Sequence, residues 1–159
     1  MPDAWLDIVV RLAASLVVGA AIGLNRDLHR KQAGVRTNAL VSLGSALAVL
    51  LVLPPGEDPT HRIDALSRVI QGVLTGIGFL GAGVILRDPA SRHVSGLTTA
   101  AAVWLSALLG VACGAGAYIP VGAALVLALV AIAFGGPFER WFRRFQRPQK
   151  SSEAEESDT

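Results

Sequence analysis

The feature that most constrains this chain is a long segment without charge that contains five glycines. Residues 69–86 carry no charged side chain, and a stretch of roughly 20 apolar residues crosses a bilayer as a helix. In water, each glycine would destabilise such a helix by about 1 kcal/mol relative to alanine, whereas in a membrane small residues let helices approach closely. We predict that this segment is the buried central helix of a membrane bundle. Its predicted packing face consists of Gly72, Gly76, Gly78, Gly81 and Gly83.

A second uncharged stretch and the overall composition also indicate a membrane protein. Residues 94–138 contain no charged side chain. In the whole chain 52% of the residues are hydrophobic and 16% are charged, whereas about 25% of the residues are charged in soluble domains. Because an uncharged run of this length cannot form the surface of a soluble protein, the sequence predicts an integral membrane protein.

Charged and turn-forming residues divide the chain into five predicted helices. Their approximate ranges are 5–24, 37–53, 69–86, 96–111 and 118–136. In the first helix Asp7 and Arg11 lie four residues apart, so we expect them to form an ion pair. Gly19 and Gly23 give this helix a face of small residues. The predicted fold is all-α, a polytopic membrane bundle with five transmembrane helices.

The distribution of lysine and arginine predicts the orientation of the bundle. Eleven of these residues lie in the connections after the first and third helices and in the tail, and three lie on the opposite side. The positive-inside rule therefore places the N-terminus outside and the C-terminus in the cytoplasm. We assign residues 1–138 to the transmembrane domain. Residues 139–159 form a cytoplasmic tail, basic and then acidic, that we expect to be disordered.

The sequence offers little for catalysis or cofactor binding. Gly76-x-Gly78-x-x-Gly81 matches the dinucleotide fingerprint, but it lacks the strand that must precede that motif. Cys113 is the only cysteine, and no nucleophile–base pair or metal-ligand spacing is evident. No ionisable residue lies deep in a predicted helix, which argues against a self-contained magnesium pump. We expect no enzyme, no cofactor and no nucleic-acid partner, and we leave the question of a metal open.

Four blocks of this sequence resemble the transmembrane domain of the MgtC/SapB family. They are GLNRD at 23–27, AGVRTNAL at 33–40, GIGFLGAG at 76–83 and GLTTAAAVW at 96–104. The resemblance implies a bacterial inner-membrane protein with five crossings. It also implies a link to growth in low magnesium, to intracellular survival in pathogens and to control of the membrane ATP synthase.

The blocks also contain the candidate site residues. Asn25, Arg26 and Asp27 end the first predicted helix, and Arg36, Thr37 and Asn38 begin the second. One interpretation is ordinary polarity at helix ends, where long charged side chains extend to the interface. The other is a partly buried polar cluster in which Asp27 pairs with Arg36 or Arg26.

Four further residues are predicted to take part in helix packing. They are Gly96, Thr98, Thr99 and Trp104. Hydroxyls in apolar helices usually bond to a backbone carbonyl or to a neighbouring helix, and Trp104 is expected to pack on the glycines of the third helix.

Two hypotheses for function follow. The first is a regulatory membrane protein that acts by helix–helix contact in the lipid bilayer, as a homo-oligomer or with other membrane proteins. The resemblance makes the ATP synthase a candidate partner. The alternative is a small oligomeric transporter or channel for a cation or a small solute.

Overall fold

The computed structural model describes residues 2–87 and 94–145. Within these ranges the chain forms five α-helices, as predicted. They are α1 (Pro2–Leu28), α2 (Val35–Leu50), α3 (Ile63–Val84), α4 (Leu97–Gly114) and α5 (Tyr118–Phe145). A short 3₁₀ turn, Pro59–Arg62, precedes α3. The prediction of an all-α fold is confirmed, since the extended structure in the described ranges is one antiparallel pair of two-residue strands, β1 (Leu86–Arg87) and β2 (Val94–Ser95).

α1, α3, α4 and α5 are longer than the sequence pattern predicted, and α1 and α5 gain the most residues. α1 ends at Leu28 instead of residue 24, because no glycine or proline interrupts the polar residues that follow. The backbone leaves the helix where Arg30 and Ala33 adopt positive φ angles of 51° and 55°. α5 continues to Phe145, so our domain boundary at 138 falls inside a helix. The end of the tail that we expected to be disordered lies outside the described residues.

The bundle is built around α4 and not around α3. α1, α2 and α4 all pack against one another, while α3 and α5 are attached from the outside. Ten residues of α4 are buried, whereas only Ile77 and Gly81 of α3 are buried. The prediction that residues 69–86 form the buried central helix is therefore wrong.

Glycines explain why α1, α2 and α4 come closest together. Gly19 and Gly23 of α1 lie against α2, and Gly110 and Gly114 of α4 lie against α2 from another side. A Cβ atom built at Gly19 would be 2.4 Å from the carbonyl oxygen of Asn38. At Gly110 it would be 2.1 Å from the carbonyl oxygen of Ser42 and at Gly114 2.6 Å from that of Ala46. These two Gly-xxx-Gly pairs, rather than the pair in α3, allow the close backbone approach.

α3 packs against α4 through the helix face that carries Ile77 and Gly81. Ile77 packs against Val103 and Ala107, with Val73 beside it, and a Cβ at Gly81 would be 3.6 Å from the Cβ of Ala100. Apolar side chains fill the space between α1, α4 and α5, among them Ile22, Leu109, Cys113 and Val121. α4 then begins at a tight turn that requires glycine: Gly96 has a φ of 92°, and a Cβ there would lie 2.0 Å from the carbonyl oxygen of Val84.

In the part of the chain that the structure describes, three segments are long and apolar enough to cross a membrane. They are Ala4–Leu28, Pro59–Val84 and Leu97–Gly114. Val35–Leu50 and Tyr118–Phe134 are shorter apolar helices. The chain is therefore a membrane protein with several apolar helices.

Candidate functional site

Two arginines of α1 tie this helix to the two ends of α4. At one end, Nη1 of Arg11 donates a 2.9 Å hydrogen bond to the carbonyl oxygen of Gly114, at the C-terminus of α4. Nη2 of the same residue donates to Oδ2 of Asp7 at 2.8 Å, so the predicted Asp7–Arg11 ion pair is confirmed. A cation at a helix C-terminus interacts favourably with the helix dipole.

The other end of α4 meets Arg26, which is only 3% exposed. Its Nη2 donates a hydrogen bond to the hydroxyl of Thr99, a buried residue in the first turn of α4. Its Nε is buried and has no hydrogen-bond partner among the described residues. The sequence placed Arg26 just beyond the first helix, whereas the structure places it in the last turn of α1 with a buried side chain. The error follows from ending α1 at residue 24, which placed this arginine in a loop.

Asp27 holds the start of α2 instead of forming an ion pair. Its Oδ2 accepts the backbone N–H of Val35 at 3.0 Å, which satisfies one of the free donors at a helix N-terminus. A Cβ at Gly34 would lie 1.8 Å from Oδ1 of Asp27, so the carboxylate occupies the space above this glycine. Arg36 is exposed. In the described parts of the chain the ion pairs are Asp7–Arg11 and Glu57–Arg62, so the expected pairing of Asp27 with Arg36 or Arg26 is not formed.

Asn38 is fully buried and links α2 to α4. Its Nδ2 donates to the carbonyl oxygens of Ala33, at 2.5 Å, and Gly34, at 3.0 Å. Its Oδ1 accepts a 2.8 Å hydrogen bond from the hydroxyl of Ser106. All three bonds lie within protein, so this amide fixes the position of α4 relative to the start of α2.

Buried serines lie on the same helices as Arg26, Asn38 and Thr99. We call these buried polar residues, together with Ser106, the buried polar line. Ser45 donates to the carbonyl oxygen of Val41 and Ser15 to that of Leu12, at 2.8 and 2.7 Å. The hydroxyl of Ser42 is buried and has no hydrogen-bond partner within residues 2–87 and 94–145. Our sequence interpretation missed the serines. Their spacing was a usable signal, since Asn38, Ser42 and Ser45 repeat at i, i+4 and i+7, and Thr99 and Ser106 lie seven residues apart on α4.

These buried polar residues lie in a part of the chain with known relatives. The sequence pattern of the MgtC family matches residues 12–141. The chain belongs to the MgtC family. This confirms the resemblance that the four sequence blocks indicated, and the match extends beyond them on both sides.

Named relatives support this membership in the MgtC family. The chain is 48% identical over 119 residues to protein SrpB of Synechococcus elongatus. The aligned region covers 70% of this chain and 65% of SrpB. It is 42% identical over 123 residues to protein MgtC of Salmonella typhimurium, covering 77% of this chain and 50% of that protein. An uncharacterised protein of Haemophilus influenzae is 38% identical over 148 residues. This chain thus spans between half and about two thirds of the length of these relatives. No solved structure matches it.

The remaining residues predicted from the MgtC resemblance do not join the buried polar line. Thr37 and Thr98 are exposed. Trp104 is 43% exposed on α4, and none of its atoms lies within 4 Å of a Cβ built at the glycines of α3, so the prediction that it packs on them is wrong. Asn25 is half-buried, and its Oδ1 is buried without a partner. Within the described residues, no three His, Cys, Asp or Glu side chains form a group that could hold a metal ion.

The glycines of α3 are mostly open in this MgtC-family chain. In the described structure no neighbouring atom lies within 4 Å of a Cβ built at Gly72, Gly76, Gly78 or Gly83. Gly72, Gly76 and Gly83 share one side of α3 with Phe79, which is 82% exposed. We call these four residues the open face of α3. It lies opposite the face that carries Ile77 and Gly81.

Proposed function

We propose that this protein crosses the bacterial inner membrane five times, with its N-terminus outside and its C-terminus in the cytoplasm. The charge asymmetry of the connections supports this orientation. α1 and α4 are long and apolar enough to cross, and α2 packs against both of them. A helix in that position crosses the bilayer with its neighbours, although only 16 residues of it are helical.

The function that we propose is regulatory and non-enzymatic, exerted by helix–helix contact within the membrane. The observation that carries this proposal is the open face of α3. The chain has Gly-xxx-Gly pairs in α1, α3 and α4, and those of α1 and α4 lie directly against α2. The pair in α3, Gly72 and Gly76, has no packing partner among the described residues. Such a face suits the close approach of a helix from another chain.

The physiological setting that we propose is adaptation to low magnesium. It rests on membership of the MgtC family and on the resemblance described above. The partner is a second copy of this chain or another membrane protein, for which the ATP synthase is the candidate that the resemblance implies.

Photo-crosslinking in native membranes tests the contact. A photoreactive residue placed at Phe79, on the open face of α3, should capture a partner, and the mass of the product distinguishes a second copy from another protein. The matched control is the same residue at Leu127, which is 69% exposed on α5. Products of equal yield from both positions would contradict a specific α3 contact.

Gly76→Leu separates contact from folding. Because a Cβ at Gly76 meets no described atom within 4 Å, the variant should fold normally and retain its melting temperature. It should nevertheless lose the crosslink from Phe79 and fail to support growth in low magnesium. Retention of both would count against the proposal.

A transporter or channel is the second candidate. The observation in its favour is the buried polar line of Arg26, Thr99, Asn38 and Ser106 inside the bundle, because polar side chains within membrane helices often mark solute pathways. Purified protein in liposomes should then show saturable flux of a cation or small solute. Asn38→Leu would be expected to change that flux.

A further inference from the structure

The charge of Arg26 is less well balanced than that of Arg11. Arg11 has the carboxylate of Asp7 at 2.8 Å and lies at the C-terminus of α4, where the helix dipole favours a cation. Arg26 lies at the N-terminus of the same helix, where the dipole disfavours a cation. Its hydrogen-bond partner among the described residues is the neutral hydroxyl of Thr99, and its Nε, like that of Arg11, has none there. Buried charges in proteins are normally paired.

The first turn of α4 also lacks a side-chain cap. Gly96 occupies the N-cap position and provides no side-chain hydrogen bond. The backbone N–H groups of the first turn have no acceptor inside a helix and favour an anion. Two independent features thus call for negative charge at the same place.

The hydrogen-bond donors suit a tetrahedral oxyanion. Nε and Nη2 share one edge of the guanidinium group, and Nη2 already bonds to Thr99. Because the oxygen of Thr99 accepts that bond, its own proton is available to another acceptor. An anion beside Nε can therefore receive hydrogen bonds from the guanidinium and from the hydroxyl, and guanidinium groups bind phosphate and carboxylate oxygens in this way.

The surface around this end of the bundle is basic. Arg30, Lys31 and Arg36 are exposed on the connection between α1 and α2 and on the first turn of α2. The carboxylate of Asp27, at the same end, is engaged by the backbone N–H of Val35. A basic rim raises the local concentration of anions.

We propose that Arg26, the hydroxyl of Thr99 and the first turn of α4 form a binding site for a phosphate-type oxyanion. The ligand chemistry is the same whether the phosphate is free in solution or belongs to the headgroup of an anionic lipid. This site goes beyond the regulatory function proposed above and does not depend on it, because the open face of α3 belongs to another helix.

The test measures thermal unfolding of the full chain in nanodiscs. In phosphatidylcholine nanodiscs, inorganic phosphate should raise the melting temperature by a few degrees with saturation, while chloride at equal ionic strength should not. If the source is the lipid, nanodiscs that contain phosphatidylglycerol should give the increase and added phosphate should give no more. Absence of both effects in the unmodified protein would overturn the proposal.

Variants locate the site. Arg26→Gln should abolish the phosphate or lipid effect, and Arg36→Gln, which removes an exposed arginine at the same end, should retain it. If Arg26→Gln does not fold, Thr99→Val serves instead, since it keeps the arginine, removes one donor and should weaken binding several-fold. If Arg36→Gln loses as much of the phosphate or lipid effect as the site variant does, the anion is attracted by the basic surface in general, and the proposal is overturned.

Discussion

Arg11 of α1 donates a 2.9 Å hydrogen bond to the carbonyl oxygen of Gly114, the last residue of α4. The two residues are 103 positions apart in the sequence, so this bond joins the beginning of the bundle to its fourth helix. Arg11 is mostly buried, and it satisfies a carbonyl that has no acceptor role within its own helix.

We predict that Arg11→Gln lowers the free energy of unfolding by about 1–3 kcal/mol, because a hydrogen bond to a charged group is lost in a partly buried place. Thermal unfolding in detergent would measure the change. Arg62→Gln is the matched control, since the Arg62–Glu57 pair is exposed and exposed pairs contribute about 0–1 kcal/mol. Equal melting temperatures for the two variants would contradict this assignment.

Alanine substitutions should distinguish the glycines of α4 from those of α3. Gly110→Ala places a Cβ 2.1 Å from the carbonyl oxygen of Ser42, and such overpacking costs about 1–3 kcal/mol or more. Gly76→Ala meets no described atom within 4 Å and should leave the melting temperature of the single chain unchanged. The yield of folded protein and its thermal stability measure both. A larger loss of thermal stability for Gly76→Ala than for Gly110→Ala would indicate that α3 is the central helix.

Asp27 should act through the start of α2 and not through Arg36. Asp27→Ala should lower stability by about 0.5–2 kcal/mol, as the loss of a helix cap does. Arg36→Ala should be as mild as Arg30→Ala, because both arginines are exposed. The exchange Asp27→Arg with Arg36→Asp should recover nothing. Recovery of stability in that double variant would demonstrate the ion pair that the described structure lacks.

The hydrogen bond between Asn38 and Ser106 can be measured by a double-mutant cycle. Residues in direct contact show coupling of about 0.5–3 kcal/mol, and hydrogen bonds between membrane helices average about 0.6 kcal/mol. We therefore expect a positive coupling near the lower end of this range for Asn38→Ala and Ser106→Ala. Ser15, which bonds within its own helix, is the control partner and should show coupling close to zero with Asn38.

Reporter fusions test the proposed orientation. A reporter inserted at Pro55, between α2 and α3, should be outside, and one fused at Ser151 should be in the cytoplasm. The physical basis is the excess of lysine and arginine on one side of the predicted membrane. Both reporters on the same side would refute five crossings with this orientation.

The helices themselves were predictable, because uncharged stretches of bilayer length leave few alternatives. The Asp7–Arg11 pair was also predictable, because residues four apart lie on one helix face. The partner of Asp27 was harder to predict from the sequence. An ion pair and a backbone cap are both open to a carboxylate near a helix start, and the close approach of the Asp27 carboxylate to Gly34 decides between them.

The central helix could not be identified from glycine content alone. Glycine permits close approach but does not specify what approaches. The sequence contains Gly-xxx-Gly pairs in three helices, and only the tertiary arrangement shows that Gly19, Gly23, Gly110 and Gly114 are occupied while Gly72 and Gly76 are open. The position of Arg26 inside α1 was missed because a helix end without glycine or proline gives no clear stop signal.

The contact between α2 and α4 sets an order of events during synthesis. α1 and α2 are consecutive and can associate through Gly19 and Gly23 as soon as both have emerged, since chains begin to fold from the N-terminus. The side-chain oxygen of Asn38 cannot accept its hydrogen bond from Ser106 until that residue is synthesised, 68 residues later. Until then Nδ2 of Asn38 can bond to the carbonyl oxygens of Ala33 and Gly34, but Oδ1 lacks its partner on α4. We therefore expect a chain that ends before α4 to be less stable in the membrane than the full chain.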